Sequence, residues 1–103
     1  MFRISVCYGQ PDDEKAFDDH YANIHTPLVA KIPGLKAFTT GKSRSLMPDR
    51  AAPYYMVASL EFDTAAELKA ALKSPEMSAA STDVAKFATG GATLYSAEVI
   101  NHL

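Results

Sequence analysis

The 103-residue sequence contains no tryptophan and one cysteine, Cys7. A single thiol cannot close an internal disulfide and is too few for a cysteine-based zinc site. Cys7 lies in an alternating run with no basic neighbour, the setting of a buried inert thiol rather than a nucleophile. No apolar run approaches the roughly 20 residues that a membrane span needs. Neither charge dominates: ten Lys and Arg face twelve Asp and Glu, for a net charge of −2, which leaves no general basic field for nucleic acid. The loose group Lys42, Arg44 and Arg50 reads as a solvated loop. Gly90-Gly91 precedes a strand-like segment and no helix, so it is a turn and not a phosphate-binding loop.

What is present is an ordinary globular balance, 48% hydrophobic and 21% charged, which fits one domain over residues 1–103. A domain of this size buries only about 60% of the surface its unfolded chain exposes, so a second copy covering an open face would help it. The run Phe2 to Tyr8 alternates apolar and polar residues, which is strand-like and unlike a leader peptide. A cytoplasmic location is therefore expected.

Gly9-Gln10-Pro11 ends the first strand, and Asp12 and Asp13 are suited to cap a following helix. Phe17, Tyr21, Ile24 and Leu28 recur at helical spacing and predict one buried stripe. Pro27 falls inside that pattern, so it must kink the helix or open a new turn. A second strand is expected over 35–42, an aperiodic loop over 43–53, and a third strand over 54–62. Thr64 to Glu67 has the pattern of a capping box, and Ser74-Pro75 that of a helix start. Met77, Ala80, Val84 and Phe87 mark the buried stripe of the last helix. A fourth strand is expected over 93–101. The order β-α-β-β-α-β, with its second helical region split, is the ferredoxin-like arrangement of the α+β class: a four-stranded antiparallel sheet with helices on one face.

Alternation assigns Phe2, Ile4, Val6 and Tyr8 to the helix side, and Arg3, Ser5 and Cys7 to the open side. By the same rule Tyr55, Val57, Ser59 and Glu61 belong on the open side. In the fourth strand Tyr95, Ala97 and Val99 are assigned to the helix side, and Leu94, Ser96 and Glu98 to the open side. Arg3 then has Glu61 and Glu98 as flanking partners, a polar group that a second sheet could enclose.

Several segments together resemble the EthD-like family, named for a role in degrading ethyl tert-butyl ether. They are His20 to Val29, Ile32-Pro33-Gly34-Leu35, Pro53-Tyr54-Tyr55, Leu60-Glu61-Phe62-Asp63, Ser74-Pro75-Glu76 and Phe87 to Gly91. The resemblance covers nearly the whole chain in register. It implies a dimeric α+β barrel, a homodimer in which two such sheets pack face to face. It also implies a small-molecule pocket between sheet and helices, and a functional link to a cytochrome P450 system. Similar barrels include cofactor-free monooxygenases, muconolactone isomerases and haem-degrading enzymes, and fold alone does not choose among them. A monooxygenase that relied on tryptophan would not work with this sequence.

His25 matches the family motif and resembles a helix histidine thought to serve acid/base chemistry in the isomerase relatives. Its near-neutral titration suits that role; otherwise it would bond a carbonyl freed by Pro27. At 100° per residue His20 and His25 lie about 140° apart on an α-helix. His20 is therefore expected at an exposed or boundary position, and a two-histidine metal site is not expected. His102 is not assigned. Tyr8, Tyr21, Tyr55 and Phe87 are candidate pocket walls, with Arg3, Ser59 and Glu61 as candidate polar contacts. Three functions follow: a cofactor-independent isomerase or monooxygenase acting on a small apolar or aromatic metabolite with His25 as acid/base; a non-catalytic carrier or accessory for a partner oxygenase; and a haem-binding variant with His25 as axial ligand.

Overall fold

A computed structural model describes all residues, 1–103. In chain order the elements are β1 (Phe2–Tyr8), α1 (Glu14–His20), a π-helical turn (Tyr21–His25), α2 (Thr26–Val29), β2 (Ala37–Lys42), β3 (Met56–Phe62), α3 (Ala65–Leu72), α4 (Pro75–Phe87) and β4 (Ala92–Glu98). The strands form one sheet in the order β2-β3-β1-β4, antiparallel throughout. This is the ferredoxin-like α+β fold.

Local chemistry places the helix starts. The side chains of Asp13, Thr64 and Ser74 each accept from a backbone N–H three residues on, at 3.1 Å. Each thereby satisfies one of the orphan donors of a helix N-terminus. Pro75 occupies the first helical position, where its missing N–H is harmless. Residues 43–53 form no strand or helix. At the end of β1, Gly9 and Gly90 lie back to back: a Cβ on Gly9 would stand 2.2 Å from the Gly90 carbonyl oxygen. Only glycine permits that approach, which closes β4 against β1.

The core lies between sheet and helices. Ile4, Val6, Tyr8, Ala58, Leu60 and Phe62 from the sheet meet Phe17, Tyr21, Val29, Leu68, Ala71, Ala80 and Phe87 from the helices. The expected stripe of the first helix breaks after Tyr21. Ile24 is half exposed, while His25 and Val29 are buried. The π turn is the reason. It adds a residue to one turn, so the buried face passes from Tyr21 to His25 and Val29. Pro27 accounts for the wide turn. It has no N–H to continue the α ladder and would crowd the preceding carbonyls. The Tyr21 carbonyl instead accepts both the Thr26 backbone N–H and the Thr26 hydroxyl, the latter at 2.9 Å.

Two face assignments are corrected. Opposite residues in an antiparallel ladder share a face, and β1 pairs with β4 as Phe2 with Glu98, Ile4 with Ser96 and Val6 with Leu94. Leu94, Ser96 and Glu98 are therefore on the helix side, and Tyr95 and Ala97 on the open side. Arg3 faces Ala97 and Glu61, not Glu98. Alternation misleads here because β4 is an edge strand: Leu94 and Tyr95 are equally exposed, at 56%, so neither face stands out as apolar. The second correction is Tyr55. The β3 strand begins only at Met56, and the Tyr55 ring turns to the helix side, 5.1 Å edge-on from Phe17.

Candidate active site

Tyr8 is held by β1, and Tyr21 and His25 are one π turn apart. All three line a cleft closed by Val6, Ala58 and Leu60 of the sheet and by Val29, Met77, Ala80 and Val84 of the helices, with Leu94 on β4. The cleft encloses about 360 Å³ in all, part of it open to solvent. Its inner cavity is narrow, about 30 Å³, room for one or two waters. Of its 13 lining residues 11 are hydrophobic, so each polar atom inside it is conspicuous.

Against His25, and outside the cleft lining itself, stands Asp83 on α4, 3% exposed. Its Oδ2 lies 3.0 Å from His25 Nδ1, and His20 Nε2 lies 3.0 Å from both of its oxygens. A carboxylate can only accept, so the facing nitrogen of each ring carries hydrogen. In neutral His25 this fixes the tautomer: Nδ1–H donates to Asp83, and Nε2 keeps its lone pair. Burial lowers the His25 pKa from 6.5, against the opposing pull of Asp83, so the ring is neutral and basic at neutral pH. Burial alone would raise Asp83, but the hydrogen bonds from His20 and His25 outweigh it and hold the carboxyl below 3.8. Phe87 packs behind both imidazoles, its ring centre 5.1 Å from His20 and 4.8 Å from His25.

His20 sits at the boundary as expected, its side chain 21% exposed, yet it also bonds the buried carboxylate. The α-helical estimate of its angle fails because the π turn brings residues five apart onto one face, as i and i+4 are in an α-helix. His25 does not bond a carbonyl freed by Pro27, since its Nδ1 is engaged with Asp83. Asp83 was absent from the expected site. The signal available was its position on α4, three residues after Ala80 and four before Phe87, an acidic residue inside a buried stripe.

The other candidates lie elsewhere. Arg3 pairs with Glu61 at 2.9 Å on the open face, with Ser59 on the same face. Tyr55 donates to Asp18 and accepts from Lys42, both at 2.8 Å, near the outer end of β2. Cys7, also on the open face, is buried, which pushes its thiol pKa up. No group of three or more His, Cys, Asp or Glu side chains is arranged to hold a metal ion. The cleft as it stands is narrower than a porphyrin.

The fold and this cleft define a ferredoxin-like domain with a buried histidine–aspartate pair facing an apolar pocket. The EthD domain matches residues 10–91, and the chain belongs to that family. It is 44% identical over 94 residues to an uncharacterised 11.0 kDa protein of the thcB-thcC intergenic region of Rhodococcus erythropolis, covering 91% of this chain and 90% of the other. It is 33% identical to an ethyl tert-butyl ether degradation (EthD) family protein of Bacillus halodurans C-125. That crystal structure superposes with a TM-score of 0.88, covering 97% of this chain and 99% of the other. A dimeric ferredoxin-like protein of unknown function from Thermobifida fusca YX, 17% identical, shares the fold with a TM-score of 0.70 over 95% of this chain and 90% of its own.

Proposed function

We propose that this chain is a small-molecule pocket protein in which His25 moves a proton on a small apolar or aromatic metabolite without a bound cofactor, as an isomerase or a monooxygenase that draws on its substrate's own electrons. One observation carries the reading: Asp83 fixes the His25 tautomer so that Nε2 is the basic atom in an apolar cleft. The same orientation by a carboxylate makes histidine an effective general base in other enzymes. Met77 on the wall can give way to a ligand larger than the cavity.

The test is His25→Gln on the metabolite that native mass spectrometry finds retained in purified protein. Turnover should fall by about 10²–10⁴-fold, with affinity changed less than tenfold. Unchanged turnover would rule out His25 as the acid/base. Retention by both proteins with no turnover by either would leave the carrier, an accessory to a partner oxygenase such as a cytochrome P450 system.

The working unit in this proposal is a homodimer in the cytoplasm. The open face, with Thr39, Ser59, Ser5 and Tyr95 in one row across the strands, carries no helix, and the Thermobifida neighbour is described as dimeric. Sedimentation equilibrium at micromolar concentration is expected to give twice the 11.1 kDa of one chain; a mass of one chain would remove the dimer from the proposal.

A further inference from the structure

The cleft holds a second polar group that the histidine pair does not use. Tyr21 is 7% exposed, and its hydroxyl is buried without a hydrogen-bond partner. Leaving such a donor unpaired carries a real penalty. Nearly all buried polar groups avoid it, and the exceptions call for an explanation. Burial pushes the Tyr21 phenol up to about 12, only partly offset by the Tyr8 hydroxyl beside it. Tyr8 is driven higher still, by burial first and by Tyr21 second. Both phenols therefore keep their protons at neutral pH and can donate. The Tyr21 ring lies 5.0 Å, centre to centre, from the His25 ring. The cleft thus sets the Tyr21 O–H, with the Tyr8 and Ser81 hydroxyls on the same lining, beside an unspent imidazole lone pair.

We infer that the ligand is an enolisable carbonyl compound, with Tyr21 donating to its oxygen while His25 Nε2 removes a proton from the adjacent carbon. This rests on the acid/base reading of His25 and names the substrate class for it. An oxygen acceptor is what an orphan hydroxyl lacks. A base beside it has work only on a substrate whose C–H acidity that hydroxyl raises. In the step, the α-C–H bond breaks and its proton goes to Nε2. Its electron pair becomes the carbon–carbon π bond of the enolate, and the carbonyl π pair moves onto oxygen, where the Tyr21 O–H holds it. Asp83 stabilises the imidazolium that forms. Return of the proton to another carbon of a conjugated enolate completes an isomerisation and restores neutral His25. No oxidant or reductant enters. Arg3 and Tyr55, the candidates for holding a carbonyl that alternation offered, lie outside the cleft, bonded to Glu61 and Asp18.

The test is α-hydrogen exchange in D₂O, followed by proton NMR, with cyclohexanone, acetophenone and 2-tetralone as probes. Wild type is expected to accelerate exchange of at least one of them. Tyr21→Phe should lower kcat by about 10²-fold, the usual effect of removing one donor to a developing oxyanion, with KM little changed. It removes only an unpaired hydroxyl, so its melting temperature should equal or exceed that of wild type, which separates lost chemistry from lost fold. Exchange by Tyr21→Phe at the wild-type rate, with His25→Gln inactive, would overturn the Tyr21 assignment and leave His25 as the base. No exchange of any of the three by wild type would overturn the carbonyl class, while the retained metabolite still decides the role of His25.

Discussion

Asp83→Ala is expected to lower the unfolding free energy by about 3 kcal/mol, the largest loss of any single substitution in this site. The carboxylate accepts charge-assisted hydrogen bonds from two imidazoles, and a bond of that kind contributes roughly 1.5–3 kcal/mol. Its removal also leaves a buried N–H on His25, whose side chain is 4% exposed, without a partner. The His20 side chain, 21% exposed, can regain water, which holds the total near the lower end of the 3–5 kcal/mol typical of breaking a buried pair. For a domain of this length the loss corresponds to a melting temperature lower by roughly 15 °C. Asp83→Asn, with the same shape and no charge, should lose about half as much. Urea titration of the three proteins measures this directly, and a midpoint for Asp83→Ala indistinguishable from wild type would mean that the carboxylate holds neither ring.

Stability should also fall in acid in two separate stages. The folded-state pKa of His25 is depressed below its ordinary 6.5 by burial. Between those two values the unfolded chain binds more protons, so stability is full above 6.5 and declines as pH drops below it. The groups facing the ring are Asp83 on α4, His20 at the end of α1, and Tyr21. Asp83 is held below 3.8 by its two histidine bonds, and Asp18 likewise by Lys42 and Tyr55, against the opposing effect of burial. Both therefore contribute stability that is present above 3.8 and lost as pH falls through their folded values. Urea midpoints at pH 8, 6, 5 and 3 should show both stages in wild type, and His25→Gln should lack the first. If that variant loses stability below pH 6.5 as steeply as wild type, the depressed histidine is not the source.

The parts of this molecule that follow repeating physical rules were legible in the sequence, and the departures from repetition were not. Strand β1 alternates cleanly because it is central and one of its faces is fully covered. The caps at Asp13, Thr64 and Ser74 were readable because only a few side chains reach a helix N-terminus in that geometry. On β4 the same alternation rule gave the wrong face, since an edge strand with both faces partly exposed puts little pressure on either. Tyr55 escapes the alternation because the ladder begins only at Met56. Pro27 signals a disturbance but not its form: kink, new turn and π turn all relieve a missing N–H. The choice among them decides whether Ile24 or His25 meets the core. Asp83 is not legible locally, because a charge on a buried stripe makes sense only with its partners, and those lie 58 and 63 positions away.

The wide turn also ties the chemistry to chain length. A π turn amounts to one additional residue accommodated inside an otherwise α-helical segment. If the same residues closed into ordinary α geometry with none removed, everything after the turn would swing by about 100° relative to what precedes it, whereas removing one residue as well would set His20 and His25 on one face again as an i, i+4 pair. In the first case the sheet and most of the core could still form, yet His20 and His25 would no longer both meet the carboxylate on α4. Relatives one residue shorter here would keep the site with its two histidines four apart on a plain α-helix, so the spacing between the histidines, read with the length of this helix, tells which turn carries them.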